Sequence, residues 1–146
     1  MVDVVTDIEI RQPRAVVAAF AANPENAPAW YANIKTVSWE TPPPVALGSK
    51  VAFTAEFLGK TLEYVYEFTE LDPSRKLVMR TAQGPFPMET TYTWTDSDGG
   101  GTRMTLRNTG TPAGFSAVAA LVMAPMMRRA MRKDLAKLKS LLEAGL

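Results

Sequence analysis

The sequence predicts an α+β domain in which a seven-stranded curved antiparallel sheet wraps around a long C-terminal helix, with two short helices after strand 1. Three observations support this prediction. Segments of alternating apolar and polar residues recur up to about residue 107, short turn sequences separate them, and one helical stripe follows. The 146 residues, 47% hydrophobic and 21% charged, suit one globular domain. We therefore assign residues 1–146 to a single domain.

The first segment combines one strand with two short helices. Apolar and acidic side chains alternate between residues 2 and 10, which indicates a half-buried strand. Pro13 then opens a first short helix. Asn23 followed by Pro24 is an N-cap signal for a second one, which carries Trp30.

A hairpin is the clearest local prediction in the chain. Two alternating segments flank Gly59 and Lys60, and a Gly-X pair is typical of a two-residue type II′ turn. With these two residues as the loop, Phe53 pairs with Tyr66, and each apolar residue lies opposite another. Further strands are predicted up to residue 107, with Trp94 opposite Met104 across a five-residue, glycine-rich loop.

A long helix is predicted at the C-terminal end of the sequence. Its apolar side chains recur at three- and four-residue steps: Ala117, Leu121, Ala124, Met127, Met131, Leu135, Leu138 and Leu142. Pro125 should kink this helix or divide it in two. Its second half is rich in lysine and arginine. These basic residues either form an ordinary solvated face or make transient contact with a membrane.

The composition excludes several classes of function. The sequence contains no cysteine and no histidine, which excludes Ser-His-Asp and Cys-His catalysis and cysteine-ligated metals. We predict no cofactor and no metal. A net charge of +1 gives no reason to expect a nucleic-acid partner. The N-terminal residues do not resemble a signal peptide, so we expect a cytoplasmic protein, either a monomer or a homodimer.

The predicted elements differ in width, which favours a cavity between them. Seven strands span about 30 Å, whereas a helix with its side chains is about 10–12 Å wide. One helix cannot cover such a sheet. The sheet must curl, and the short helices must close one end, which favours a pocket between sheet and helix.

Five segments resemble the polyketide cyclase/dehydratase and lipid-transfer-like branch of the START-like, or SRPBCC, superfamily. They are residues 8–16, 23–30, 71–77, 100–106 and 135–143. The resemblance implies a helix-grip fold around a hydrophobic cavity. Members of that superfamily bind lipids, steroids, polyketides or ubiquinone, and some cyclise or dehydrate polyketides.

The residues expected to face this cavity are mostly aromatic or methionine: Trp30, Phe53, Tyr64, Tyr66, Met79, Tyr92, Trp94, Met104, Met123 and Met127. Three inward tyrosines suggest polar anchors, because a buried hydroxyl without a partner costs about 1–3 kcal/mol. Few carboxylates are expected to face inward, and Glu56, Glu63 and Glu67 are placed outside. The main hypothesis is therefore binding or transport of a hydrophobic small molecule. The alternatives are a polyketide cyclase or dehydratase that uses the tyrosines, and a protein–protein module with a collapsed cavity.

Overall fold

The structure is a computed structural model that describes residues 2–57, 59–83, 87–110 and 117–145. The strands are β1 (Val2–Ile10), β2 (Ile34–Trp39), β3 (Lys50–Phe57), β4 (Lys60–Asp72), β5 (Lys76–Gln83), β6 (Met88–Asp96) and β7 (Thr102–Gly110). The helices are α1 (Arg14–Ala22), α2 (Ala27–Trp30) and α3 (Ala117–Glu143). A 3-10 turn, Pro24–Asn26, links α1 to α2, and the Asn23 side chain caps it by accepting from the Glu25 N–H.

In the described part of the chain, the seven strands form one antiparallel sheet in the order β1-β7-β6-β5-β4-β3-β2. The prediction of a seven-stranded curved sheet around a C-terminal helix is confirmed. Because β1 and β2 lie at opposite edges, their connection crosses the whole width of the sheet. That connection contains α1 and α2, which places both short helices across one end of the sheet.

Irregular pairing in β4 helps the sheet to curve. The register of β4 against β5 shifts at two places, between Val65 and Tyr66 and between Phe68 and Glu70. The second shift changes the spacing of inward side chains, so that Phe68 is buried and Leu71 is the next to be partly covered. Bulges of this kind bend a strand and increase its twist.

The second half of α3 is anchored more deeply in the core than residues 122–130, where Ala124 and Met127 are only partly buried against it. Leu135, Leu138 and Leu142 are fully buried, and α3 packs against β1. The end of the helix is tied to the chain after β1: the Gln12 side-chain amide donates to the Leu142 carbonyl at 2.9 Å, and the Arg11 N–H donates to Glu143 at 2.8 Å. Among the described residues, no helix combines the length and the apolar character that crossing a bilayer requires.

The predicted register of the central hairpin is wrong by two residues. Phe53 pairs with Tyr64, not with Tyr66, and Phe57 pairs with Lys60. The loop therefore consists of residues 58 and 59, and Gly59 occupies its second position with a φ of +77°, which glycine adopts without steric cost. The observed register keeps Phe53 and Ala55 opposite apolar partners but places Phe57 opposite Lys60, so the hydrophobic pattern favoured the wrong register.

Pro125 does not divide the last helix, contrary to one of the two predicted outcomes. α3 continues through it from Ala117 to Glu143. Pro125 lies on the exposed side of α3, so its ring stays out of the core and water can bond the carbonyl that loses its partner.

Candidate functional site

A cavity of about 420 Å³ lies between the inner face of the sheet and α3. Its sheet wall includes Phe53, Tyr64, Tyr66, Phe68, Leu77 and Met79. Its helix wall includes Met123, Met126, Met127, Ala130, Met131 and Asp134. The end formed by α1 and α2 contributes Ala22, Ala27 and Tyr31. The volume falls within the range of small-molecule pockets, roughly 300–1,000 Å³.

Seven of the ten residues predicted to bind a ligand line this cavity: Phe53, Tyr64, Tyr66, Met79, Tyr92, Met123 and Met127. The other three do not. Trp30 is buried behind Tyr31, with the two ring centroids 4.1 Å apart. Trp94 lies at a separate depression beside α1. Met104 is fully buried in the core.

The helix side is where the cavity meets solvent. Met126 lines the cavity and is nevertheless 46% exposed, and the neighbouring Val122 is 59% exposed. Met123 and Met127 are half-buried. The first half of α3 thus forms a partly open wall of flexible methionines, which adapt readily to occupants of different shape.

Two tyrosine hydroxyls meet at the closed end of the cavity. The Tyr31 and Tyr92 hydroxyl oxygens lie 2.5 Å apart, and the Trp30 ring packs against both side chains. Burial raises the pKa of both phenols above their ordinary value near 10, so both stay neutral at physiological pH. Because one hydroxyl donates and the other accepts, the accepting hydroxyl keeps a hydrogen that it can donate to an occupant.

A buried carboxylate lies beside this tyrosine pair, and the sequence analysis missed it. Asp134 is 7% exposed, lines the cavity and accepts a hydrogen bond from the Ala32 N–H at 3.0 Å. Burial raises its pKa from 3.8 to about 6. Few carboxylates were expected to face inward, and Asp134 is one that does. Glu56, which was placed outside, is exposed but also borders the cavity. The spacing along the helix could have predicted the position of Asp134. This residue follows Met127 by seven residues and Met131 by three, which places all three on one face of the helix.

The tyrosine pair leads to a first prediction. Replacing Tyr92 by phenylalanine removes the hydroxyl that bonds Tyr31 but keeps the ring contact with Trp30. We expect a loss of about 1 kcal/mol in the free energy of unfolding, because water in the cavity replaces part of the lost bond. Urea unfolding measures it. The variants Y92F, Y31F and Y31F/Y92F form a cycle that should give a coupling of about 0.5–1.5 kcal/mol. Additive losses would show that the two hydroxyls do not stabilise each other.

Comparisons with known proteins agree with this architecture. The sequence profile of the family described as "Polyketide cyclase / dehydrase and lipid transport" matches residues 1–143. The crystal structure of TTHA0849 from Thermus thermophilus superposes with a TM-score of 0.82 at 19% identity and covers 99% of each chain. The Zhui aromatase/cyclase from Streptomyces sp. R1128 gives a TM-score of 0.76 at 16% identity, over 94% of this chain and 91% of the other.

A plant protein shares the same fold. The ginseng major latex-like protein 151 from Panax ginseng gives a TM-score of 0.73 at 12% identity, with 94% of this chain and 95% of the other covered. At these identities the superpositions show the helix-grip fold alone. No curated protein matches the sequence at a comparable level of significance.

Proposed function

Because the chain belongs to the polyketide cyclase/dehydrase and lipid transport family, we propose that it binds or transports a hydrophobic small molecule, such as a lipid, a polyketide or an isoprenoid. The observation that carries this proposal is the cavity of about 420 Å³ between sheet and α3, with aromatic and methionine side chains in its walls. An occupant would lie against the sheet wall and be covered by the first half of α3.

The size of the cavity supports an occupant. Protein interiors are packed as densely as organic crystals, and voids larger than a water molecule are few in a domain. Side chains around an empty apolar space lose dispersion contacts that an apolar ligand restores. An apolar molecule of suitable volume is therefore more stable in this cavity than water is.

Filling the cavity with a side chain gives a direct test. Ala130 lines the cavity on α3, and Ala136 lies on the exposed side of the same helix. We expect A130W to weaken binding of the neutral fluorophore N-phenyl-1-naphthylamine by about tenfold or more, equivalent to about 1.4 kcal/mol, because the indole occupies the same space. A136W should bind the fluorophore as the parent protein does. Fluorescence titration measures both affinities.

Either of two results would contradict the proposal. One is a parent protein that neither binds the fluorophore nor releases any small molecule on solvent extraction and mass spectrometry. The other is an A130W variant that binds hydrophobic probes as well as the A136W control does.

One observation favours a second candidate, an enzyme of the cyclase or dehydratase type. Among the residues that sequence reasoning placed in the cavity, only the tyrosines can transfer a proton, and tyrosine is a poor base. Asp134, whose pKa burial raises to about 6, supplies a carboxylate that could accept a proton near neutral pH, next to neutral phenols that could donate one. A pure carrier returns its ligand unchanged on extraction, whereas an enzyme converts it, and mass spectrometry of a bound β-hydroxyketone separates the two.

The remaining hypothesis is a protein–protein module with a collapsed cavity, and the space of about 420 Å³ between sheet and α3 gives it less support than it gives to ligand binding. Transient membrane contact through the basic C-terminal helix, the choice between monomer and homodimer, and a cytoplasmic location stay predictions.

A further inference from the structure

The charges around the cavity are of one sign. Among the described residues that line it, two carry carboxylates, Asp134 and Glu56, and none is a lysine or an arginine. The residues outside the described ranges are also neutral in their side chains, since 1, 58, 84–86, 111–116 and 146 include no lysine, arginine or histidine. An anionic ligand would therefore meet a carboxylate and no cationic side chain in the wall.

Asp134 has an oxygen available for an occupant. Its Oδ1 accepts from the Ala32 N–H, and no other donor within the described part of the chain bonds to the carboxylate. Lys133, which precedes Asp134 in the chain, and Lys35, which lies three residues after Ala32, are both exposed. Lys35 bonds instead to the Ala32 carbonyl at 3.0 Å. A buried carboxylate with one hydrogen bond and no paired cation is costly, and a cation brought by a ligand would offset that cost.

Aromatic rings surround the same end of the cavity. Tyr31 and Tyr92 lie close enough to Asp134 to interact with it electrostatically, and the Tyr66 ring also lines the wall. The faces of aromatic rings attract ammonium groups, by roughly 0.5–2 kcal/mol according to how far the pair is desolvated. The carboxylate and the aromatic rings therefore both favour a positive charge on an occupant.

We propose that the occupant is an amphiphile with a protonated amine at its polar end, paired with Asp134 beside Tyr31 and Tyr92, and an apolar body against the methionines of α3. This inference rests on the proposed function of the cavity and narrows its ligand class. It separates amines from fatty acids and other carboxylates, which have apolar bodies of the same kind and the opposite charge.

Three matched ligands test the proposal: 2-(2-naphthyl)ethylamine, 2-(2-naphthyl)ethanol and 2-naphthylacetate. They share one aromatic body and differ in charge. Each competes with N-phenyl-1-naphthylamine at pH 8, where Asp134 is ionised and the amine is protonated. We expect the amine to bind about tenfold more tightly than the alcohol, and the acetate to bind most weakly.

Matched variants locate the effect. D134N should reduce the amine's affinity to that of the alcohol and leave the alcohol within about twofold of its parent value, equivalent to less than about 0.5 kcal/mol. E63Q, which changes an exposed carboxylate of β4 that does not line the cavity, should keep the preference for the amine.

The possible outcomes separate this inference from the proposed function. Equal binding of amine and alcohol by the parent protein, or tighter binding of the acetate, would overturn the inference while the function stands. An amine preference that survives in D134N would overturn the assignment to Asp134. Failure of the fluorophore and of all three ligands to bind would overturn the proposed function itself.

Discussion

Replacing Leu138 by alanine should lower the free energy of unfolding by about 2–5 kcal/mol. Leu138 is fully buried in the half of α3 that anchors the helix against β1. The substitution removes three carbon atoms from a packed site and leaves a space that its neighbours fill only in part. For a domain of this size the loss is a large fraction of its total stability, which is typically about 5–15 kcal/mol. Urea unfolding followed by circular dichroism measures it.

The adjacent residue supplies a matched control. Lys137 is exposed on the same turn of α3, so K137A should change the stability by less than about 0.5 kcal/mol. Leu138 does not line the cavity, so the folded fraction of L138A should bind N-phenyl-1-naphthylamine with the parent affinity. Equal losses in L138A and K137A would show that this half of α3 does not hold the domain together.

The architecture could be predicted because short-range patterns in the sequence determine its strands and turns. Alternation over residues 2–10 indicates a strand. The length of the glycine-rich loop before Thr102 predicts that Trp94 pairs with Met104, which is the observed pairing. The register of the hairpin at Gly59 could not be predicted, because a slip of two residues keeps every side chain on the same face of the sheet. Only the backbone conformation of the loop identifies the observed register.

The site could be predicted only in part, because the sequence pattern leaves the extent of the cavity undefined. A period of two says which face of the sheet a side chain occupies, but it does not say how far along the strand the cavity extends. Tyr92 and Trp94 both point inward from β6, yet only Tyr92 reaches the cavity, because α1 lies beside Trp94. Asp134 was missed because its charge suggested a solvated position, although its spacing from Met131 places it on the buried face of α3.

Replacing Asp134 by asparagine should raise the free energy of unfolding by about 1–3 kcal/mol at pH 8. Burial raises the pKa of this carboxyl to about 6 in the folded protein, against about 3.9 in an unfolded chain. Between these values the folded state binds more protons than the unfolded state. The stability of the parent protein therefore falls as the pH rises from about 4 to about 6. Above about pH 6 the buried carboxylate is charged and destabilises the folded state by its full amount. Asparagine is neutral at every pH and can still accept from the Ala32 N–H.

The difference between variant and parent isolates this effect from other titrations. Glu143 acts in the opposite direction: Lys139 and Arg11 lower its pKa to about 2, so its contribution is lost as the pH falls. That loss is common to both proteins and cancels. The two tyrosines facing Asp134 do not titrate in this window, because burial raises the pKa of Tyr31 and of Tyr92 and keeps both phenols neutral. The gain from D134N should therefore be near zero at pH 4 and reach its full value by about pH 7. A gain that is the same at pH 4 and pH 8 would mean that Asp134 is not a buried charge, and the electrostatic preference of the cavity for a cation would lose its source.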